Sequence, residues 1–113
     1  MAPRRSTALP CDAACPVRRA MDLLDGKWTL LVIRELLGGT KRFGELLGAI
    51  GGVSPRVLAQ RLQLLESHGV LRRDCHAEVP PRVEYSLLPA GESLRPVVES
   101  LATWGAKLPQ DGT

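Results

Sequence analysis

Val53-Ser54-Pro55-Arg56-Val57-Leu58-Ala59-Gln60-Arg61-Leu62-Gln63-Leu64-Leu65-Glu66-Ser67-His68-Gly69 is the segment on which the reading of this chain turns. A serine ahead of a proline is a helix start: the hydroxyl caps free backbone N–H groups, and proline at the first helical position loses no hydrogen bond. The pattern predicts a helix from about Pro55 to His68, stopped at Gly69. At about 100° per residue, Leu58, Leu62 and Leu65 share one side while Arg56, Gln60, Gln63 and Ser67 share the other. One face can hold the helix to a core, and the other is left for a partner.

Upstream, Gly51-Gly52 separates this helix from a shorter one carrying Phe43, Leu46, Leu47 and Ile50, which follows a turn at Thr40-Lys41-Arg42. Before that, Trp28, Leu31, Val32, Leu36 and Leu37 recur at helical spacing, with Leu30 and Ile33 widening the stripe until Gly38-Gly39. A helix apolar nearly all round belongs at the centre. Pro16 opens a first short helix through Val17, Ala20, Met21 and Leu24, ended by Asp25-Gly26. Residues 1–14, with Pro3, Pro10, Arg4 and Arg5 and no apolar period, read as a flexible arm, 15–108 as the folded domain and 109–113 as a tail.

Downstream, Val70-Leu71-Arg72-Arg73-Asp74-Cys75 and Val83-Glu84-Tyr85-Ser86-Leu87 read as two strands, the second by its alternation. His76 to Arg82, with Pro80-Pro81, forms a tip too long for a tight turn. From Pro89 the pattern is helical again, and Leu94, Val97, Leu101, Trp104 and Leu108 form a heptad-like seam that needs something to pack on. Pro96 should kink this helix or delay its regular part. Four helices, two strands and a helix make an α+β, mainly helical chain.

The chain has 113 residues, one domain's worth, and 44% hydrophobic with 24% charged residues excludes a disordered or collagen-like chain. No apolar run approaches the roughly 20 residues that span a bilayer. No apolar segment follows the basic residues after Met1, so the expected location is the cytoplasm, where three cysteines read as reduced thiols. A formal net charge of +3 mildly favours an anionic partner.

Two helices joined through Gly51-Gly52 and followed by a β-hairpin match a winged helix-turn-helix with a two-stranded wing. A recognition helix needs an inner apolar face and long hydrogen-bonding side chains near its N-terminal end, where it enters the major groove of double-stranded DNA. Arg56 suits guanine, Gln60 suits adenine, and Gln63 lies beside them; a merely solvated polar face is the competing reading. Ser54 with its helix N-terminus, Lys41, Arg42 and Arg82 suit backbone phosphates. Arg61 projects about 60° from the core direction, placing it to snorkel or to reach a phosphate. Arg72 and Arg73 either serve the backbone or pair with Asp74 and Glu78.

Cys15-Pro16-Val17, Gly26-Lys27-Trp28-Thr29-Leu30-Leu31, Arg42-Phe43-Gly44-Glu45-Leu46, Ser54-Pro55-Arg56-Val57-Leu58, Leu65-Glu66 before Gly69-Val70-Leu71, and Val79-Pro80-Pro81-Arg82-Val83-Glu84-Tyr85-Ser86-Leu87 resemble the HxlR-type winged helix-turn-helix transcriptional regulators. The resemblance spans about Cys15 to Trp104. It implies a cytoplasmic, homodimeric regulator on a pseudo-palindromic operator, with the first and last helices forming the dimer interface. Leu94, Val97, Leu101 and Trp104 are then its interface residues. Packing of the last helix on its own core is the alternative.

Some members of that family sense oxidants or electrophiles through a cysteine just before the first helix, which here is Cys15; an oxidant or small-molecule effector is thereby admitted as a partner. A thiolate at a helix N-terminus beside Arg18 and Arg19 would be favoured electrostatically, and a small buried residue or weak cap is the opposing reading. Cys11 departs from the single-cysteine pattern: it either resolves an oxidised Cys15 or rides on the arm. Leu88-Pro89 stands where a capping threonine is common in the family. Cys11, Cys15 and Cys75-His76 make no metal set, so no metal or cofactor is expected. His68 and His76 complete no catalytic constellation, and no phosphate loop is present, so no catalytic residue is assigned. A winged-helix module that binds a protein instead of DNA is the alternative function; a small thiol enzyme at Cys15 ranks far behind.

Overall fold

The computed structural model describes residues 14–110. Cys11, nearly all of the 1–14 arm, and residues 111–113 of the tail lie outside the described residues.

Pro16 stands in the first turn of α1 (Pro16–Leu23), which Cys15 precedes as N-cap without a side-chain capping bond. The turn at Asp25-Gly26 leads into α2 (Thr29–Leu37), whose Thr29, Val32, Ile33 and Leu36 are buried as the all-round apolar pattern requires. Thr29 is the buried polar exception, and it is satisfied: its hydroxyl donates to the Asp25 carbonyl at 2.8 Å. α3 (Phe43–Ile50) and α4 (Pro55–Ser67) follow, separated by Gly51 and Gly52 at φ of +69° and +84°, a conformation in which a side chain would be strained. Ser54 caps α4, its Oγ accepting from the Val57 N–H at 3.1 Å.

The two strands read from the alternation are β2 (Leu71–His76) and β3 (Arg82–Leu87), but the sheet has a third member. Lys41–Arg42, expected to be a turn, form β1 and pair antiparallel with β3 in the register Lys41↔Tyr85 and Arg42↔Glu84, giving the order β1-β3-β2. A two-residue strand has no periodicity to read; it exists because β3 offers a free edge, and a 2.7 Å bond between the Thr40 and Ser86 hydroxyls holds the register. The core gathers Val32, Ile33 and Leu36 of α2, Leu46 of α3, Leu58, Leu62 and Leu65 of α4, Val70 just ahead of β2, and Leu71 and Tyr85 of the sheet.

The last helical region is two helices. α5 (Pro89–Glu92) is one short turn, and α6 (Arg95–Gly105) begins afresh with Leu94 as its N-cap and Pro96 in its first turn. Pro96 delays the regular helix: at the start of α6 its missing N–H costs nothing. Arg95 ties the junction to α2, donating to the Leu37 carbonyl at 3.1 Å. Among the described residues no helix is long and apolar enough to cross a membrane.

Candidate nucleic-acid interface

α4 presents its two sides as its wheel dictates. Leu58, Leu62 and Leu65 are buried, whereas Arg56, Gln60 and Gln63 are exposed and engage no side chain or backbone group among the described residues. Arg56 stands one residue behind the Ser54–Pro55 start, so its guanidinium lies at the end of the helix where unpaired N–H groups and the positive end of the dipole also lie. This surface can donate and accept hydrogen bonds in the major-groove pattern without first breaking internal ones.

On one flank of α4 lies the sheet. Ala59, Leu62, Gln63 and Glu66 of α4 face Arg73 and Tyr85 across a shallow hollow. The Tyr85 hydroxyl bonds the Arg73 guanidinium and holds it further toward its charged form. Lys41 is half-buried and Arg42 exposed on the outer strand, where the Arg42 N–H donates to the Glu45 carboxylate at 2.7 Å. Arg72 pairs with Asp74 at 2.9 Å, as one of the two sequence readings has it, but Glu78 goes to Arg82 rather than to Arg73. Arg82 is therefore not a free phosphate ligand. It pairs with Glu78 at 3.0 Å, and its Nε lies 3.6 Å from Glu84, an ion-pair approach without a hydrogen bond, with His76 on the other oxygen of Glu84 at 3.1 Å. Arg82 and Glu84 are half-buried and Glu78 is exposed; surface pairs are worth at most about 1 kcal/mol, so a phosphate can compete with Glu78 for Arg82.

On the other flank lies the α1–α2 turn. A Cβ on Gly26 would stand 2.7 Å from Nη2 of Arg61, so Arg61 neither points to solvent nor follows the core but tucks its head under this turn, leaving its Nε shielded and unpaired. Trp28 continues the contact: its Cη2 would be 3.5 Å from a Cβ on Gly52, in the turn that leads into α4. The Lys27 ammonium sits over the Trp28 ring, 4.6 Å from its centroid.

Away from α4, the seam is divided. Leu94, with Val98, packs against the chain's own core, while Val97, Leu101, Trp104 and Leu108 are exposed, Trp104 by 61%. Val17 and Met21 of α1 are also exposed. Leu94 thus leaves the expected interface set because, as N-cap of α6, it is partly buried against the core. Cys15 is 4% exposed, whereas Cys75 on β2 is open to solvent. No three His, Cys, Asp or Glu side chains converge as a metal set among the described residues.

The HxlR-like helix-turn-helix family matches residues 23–112. An HTH-type transcriptional regulator of Synechocystis, sll1512, is 47% identical over 92 residues, covering 81% of this chain and 68% of its own. A MarR-family transcriptional regulator from Porphyromonas gingivalis W83 superposes with a TM-score of 0.85 at 41% identity, over 88% of this chain and 98% of that one. The redox regulator HypR in its oxidised form does so with a TM-score of 0.79 at 35% identity, over 84% and 98%. These relatives are regulators rather than enzymes. The α+β architecture, the capped helix after a glycine turn, the strand pair behind it and this family match agree, and the chain belongs to the HxlR-like helix-turn-helix transcriptional regulators.

Proposed function

We propose that the protein is a homodimer that binds a pseudo-palindromic operator in double-stranded DNA, with residues 15–108 as the DNA-binding unit. The observation that carries this is the outward face of α4, where Arg56, Gln60 and Gln63 stand exposed and unpaired beside the Ser54 cap. Arg56, Gln60 and Gln63 read bases; Ser54, Lys41 and Arg42 position the backbone, Arg82 joins them by exchanging Glu78 for a phosphate, and Arg61, expected from the sequence at a phosphate, serves the backbone through the α1–α2 turn that its head rests under. Dimerisation uses Val97, Leu101 and Trp104, an apolar row too exposed for a helix that ends its packing within one chain.

The test is a titration of the purified protein against its own upstream DNA and a scrambled duplex at two salt concentrations. Arg56→Ala is expected to weaken the operator by roughly 5- to 150-fold for each half-site it contacts, the worth of one bidentate base contact per protomer, with much less change on scrambled DNA. Equal losses on both sequences would remove Arg56 from base reading. Arg82→Ala should weaken both sequences alike and lower the salt dependence, by less than a free arginine would because its carboxylate partners already offset its charge. A wild type that ignores duplex DNA at physiological salt would favour the protein-binding alternative.

An oxidant response through Cys15 belongs to the same proposal, supported by its place at the start of α1 and by the likeness to HypR. In this step Cys15 and a second thiol form a disulfide, and diamide takes up the two electrons and two protons. Since Cys15 is buried, the reaction requires the start of α1 to open. Diamide is expected to change the DNA affinity of the wild type and to leave Cys15→Ser unaffected; an equal change in both would end the idea.

A further inference from the structure

A helix lying in the major groove has a row of phosphates on each side, and α4 has two built flanks. On the wheel of α4, Ala59 and Glu66 turn toward the sheet, while Arg61 turns about 60° to the opposite side of the core direction, where it meets Gly26. On the sheet flank Arg72 is offset by Asp74 and Arg82 by Glu78 and Glu84, and Arg73 stands against Tyr85 with no carboxylate ion pair among the described residues. The opposite flank carries Lys27. Its ammonium is exposed, it pairs with no carboxylate among the described residues, and its contact is the face of Trp28, which orients a cation without neutralising it.

We propose that the Gly26-Lys27-Trp28 turn is a second backbone-binding element, in which Lys27 takes a DNA phosphate on the side of α4 away from the wing. The inference rests on the DNA-binding reading above. Two contacts fix the turn against α4: Gly26 over the Arg61 guanidinium, and Trp28 against Gly52 at the entrance to the helix. Gly26 suits this turn by its backbone conformation. Its φ of +87° disfavours a side chain, and a Cβ would displace Arg61. Trp28 therefore places Lys27 beside the end of α4 that enters the groove, and the tether is an indole rather than a flexible loop. Arg61 acts as a positioning residue that holds the turn, with its positive charge on the same flank. The carboxylate that could compete is Asp25, which makes no ion pair with Lys27; the Asp25 carbonyl is taken by Thr29.

The experiment compares wild type, Lys27→Gln, Lys27→Met and Lys27→Arg in DNA titrations over a salt series, with thermal melts of each. Methionine keeps an aliphatic contact over Trp28 without the charge, so a folding loss specific to glutamine is separated from loss of the cation. Both neutral variants are expected to bind operator and scrambled duplex more weakly by the same factor, roughly eightfold at 0.1 M salt for each copy that touches DNA. The slope of log K against log salt should fall by about 0.9 per copy, and Lys27→Arg should keep the wild-type slope. An unchanged slope in the neutral variants, while wild type binds with its own salt dependence, would overturn the role of Lys27 and leave the recognition helix standing. So would a loss confined to the operator. A wild type that binds no duplex would remove the DNA-binding reading and this inference with it.

Discussion

Leu101→Glu is expected to yield a folded monomer with little affinity for a two-fold operator. Leu101 lies in the exposed row Val97, Leu101 and Trp104 of α6, which Leu108 continues just past the helix, with Val17 and Met21 of α1 also open to solvent. Covering a leucine contributes about 1.5–3 kcal/mol, and a two-fold interface contains the position twice. Losing both copies costs roughly 3–6 kcal/mol, about two to four orders of magnitude in the dimer dissociation constant. The buried carboxylate adds a desolvation cost. The monomer itself should survive, because Leu101 is already 44% exposed there. Sedimentation equilibrium reads the mass, a thermal melt reads the fold, and a titration on half and full operators reads the consequence. Val97→Glu should act in the same direction. A variant that sediments as wild type, or a wild type that is itself monomeric, would place the dimer interface elsewhere or remove it.

Gly91→Ala is expected to be the most destabilising single methyl that can be added to the described glycines. The new Cβ would lie 2.5 Å from the Val70 carbonyl oxygen and 2.7 Å from Cδ2 of Leu87. The carbonyl cannot step aside freely: Val70 links α4 to β2, its N–H is bonded to Leu65, and its oxygen already accepts from the Leu88 N–H at 2.9 Å. Overpacking against fixed backbone costs about 3 kcal/mol, which for a domain of this size lowers Tm by roughly 12 °C or more. Gly48→Ala is the matched control. It lies within α3 with nothing within 4 Å of its Cβ, so it should be neutral or gain up to about 1 kcal/mol from helix propensity. Equal melting temperatures for the two variants would mean that α5 does not press on the sheet as described.

The face of α4 was legible because helical periodicity and a capping serine are local: Arg56, Gln60 and Gln63 lie opposite Leu58, Leu62 and Leu65 whatever surrounds them. The flanks were not. That Arg82 answers to Glu78 and Glu84, or that Arg73 meets Tyr85, depends on the register of β2 against β3 and on the path of the tip between them. The Gly26-Lys27-Trp28 segment was visible as a distinctive word, yet its role beside α4 depends on Arg61 and Gly52, which are distant in sequence. A glycine before a lysine and a tryptophan signals a turn, and nothing in the spacing says what the turn rests on.

The helices of the core, the glycine turn between α3 and α4 and the hairpin could be read along the chain, since each follows from contacts among near neighbours and from the burial demanded by apolar stripes. That Lys41–Arg42 is a strand, that the last helical region is two helices, and that Leu94 packs on the core while Val97, Leu101 and Trp104 stay exposed emerges from the folded arrangement. The first depends on the open edge of β3, more than 40 residues away by the pairing Lys41↔Tyr85. The others depend on where α2 leaves room for Leu94, Val98 and the Arg95 guanidinium. Strand pairing and side-chain packing are agreements between distant segments, and a pattern read along one segment carries no term for its partner.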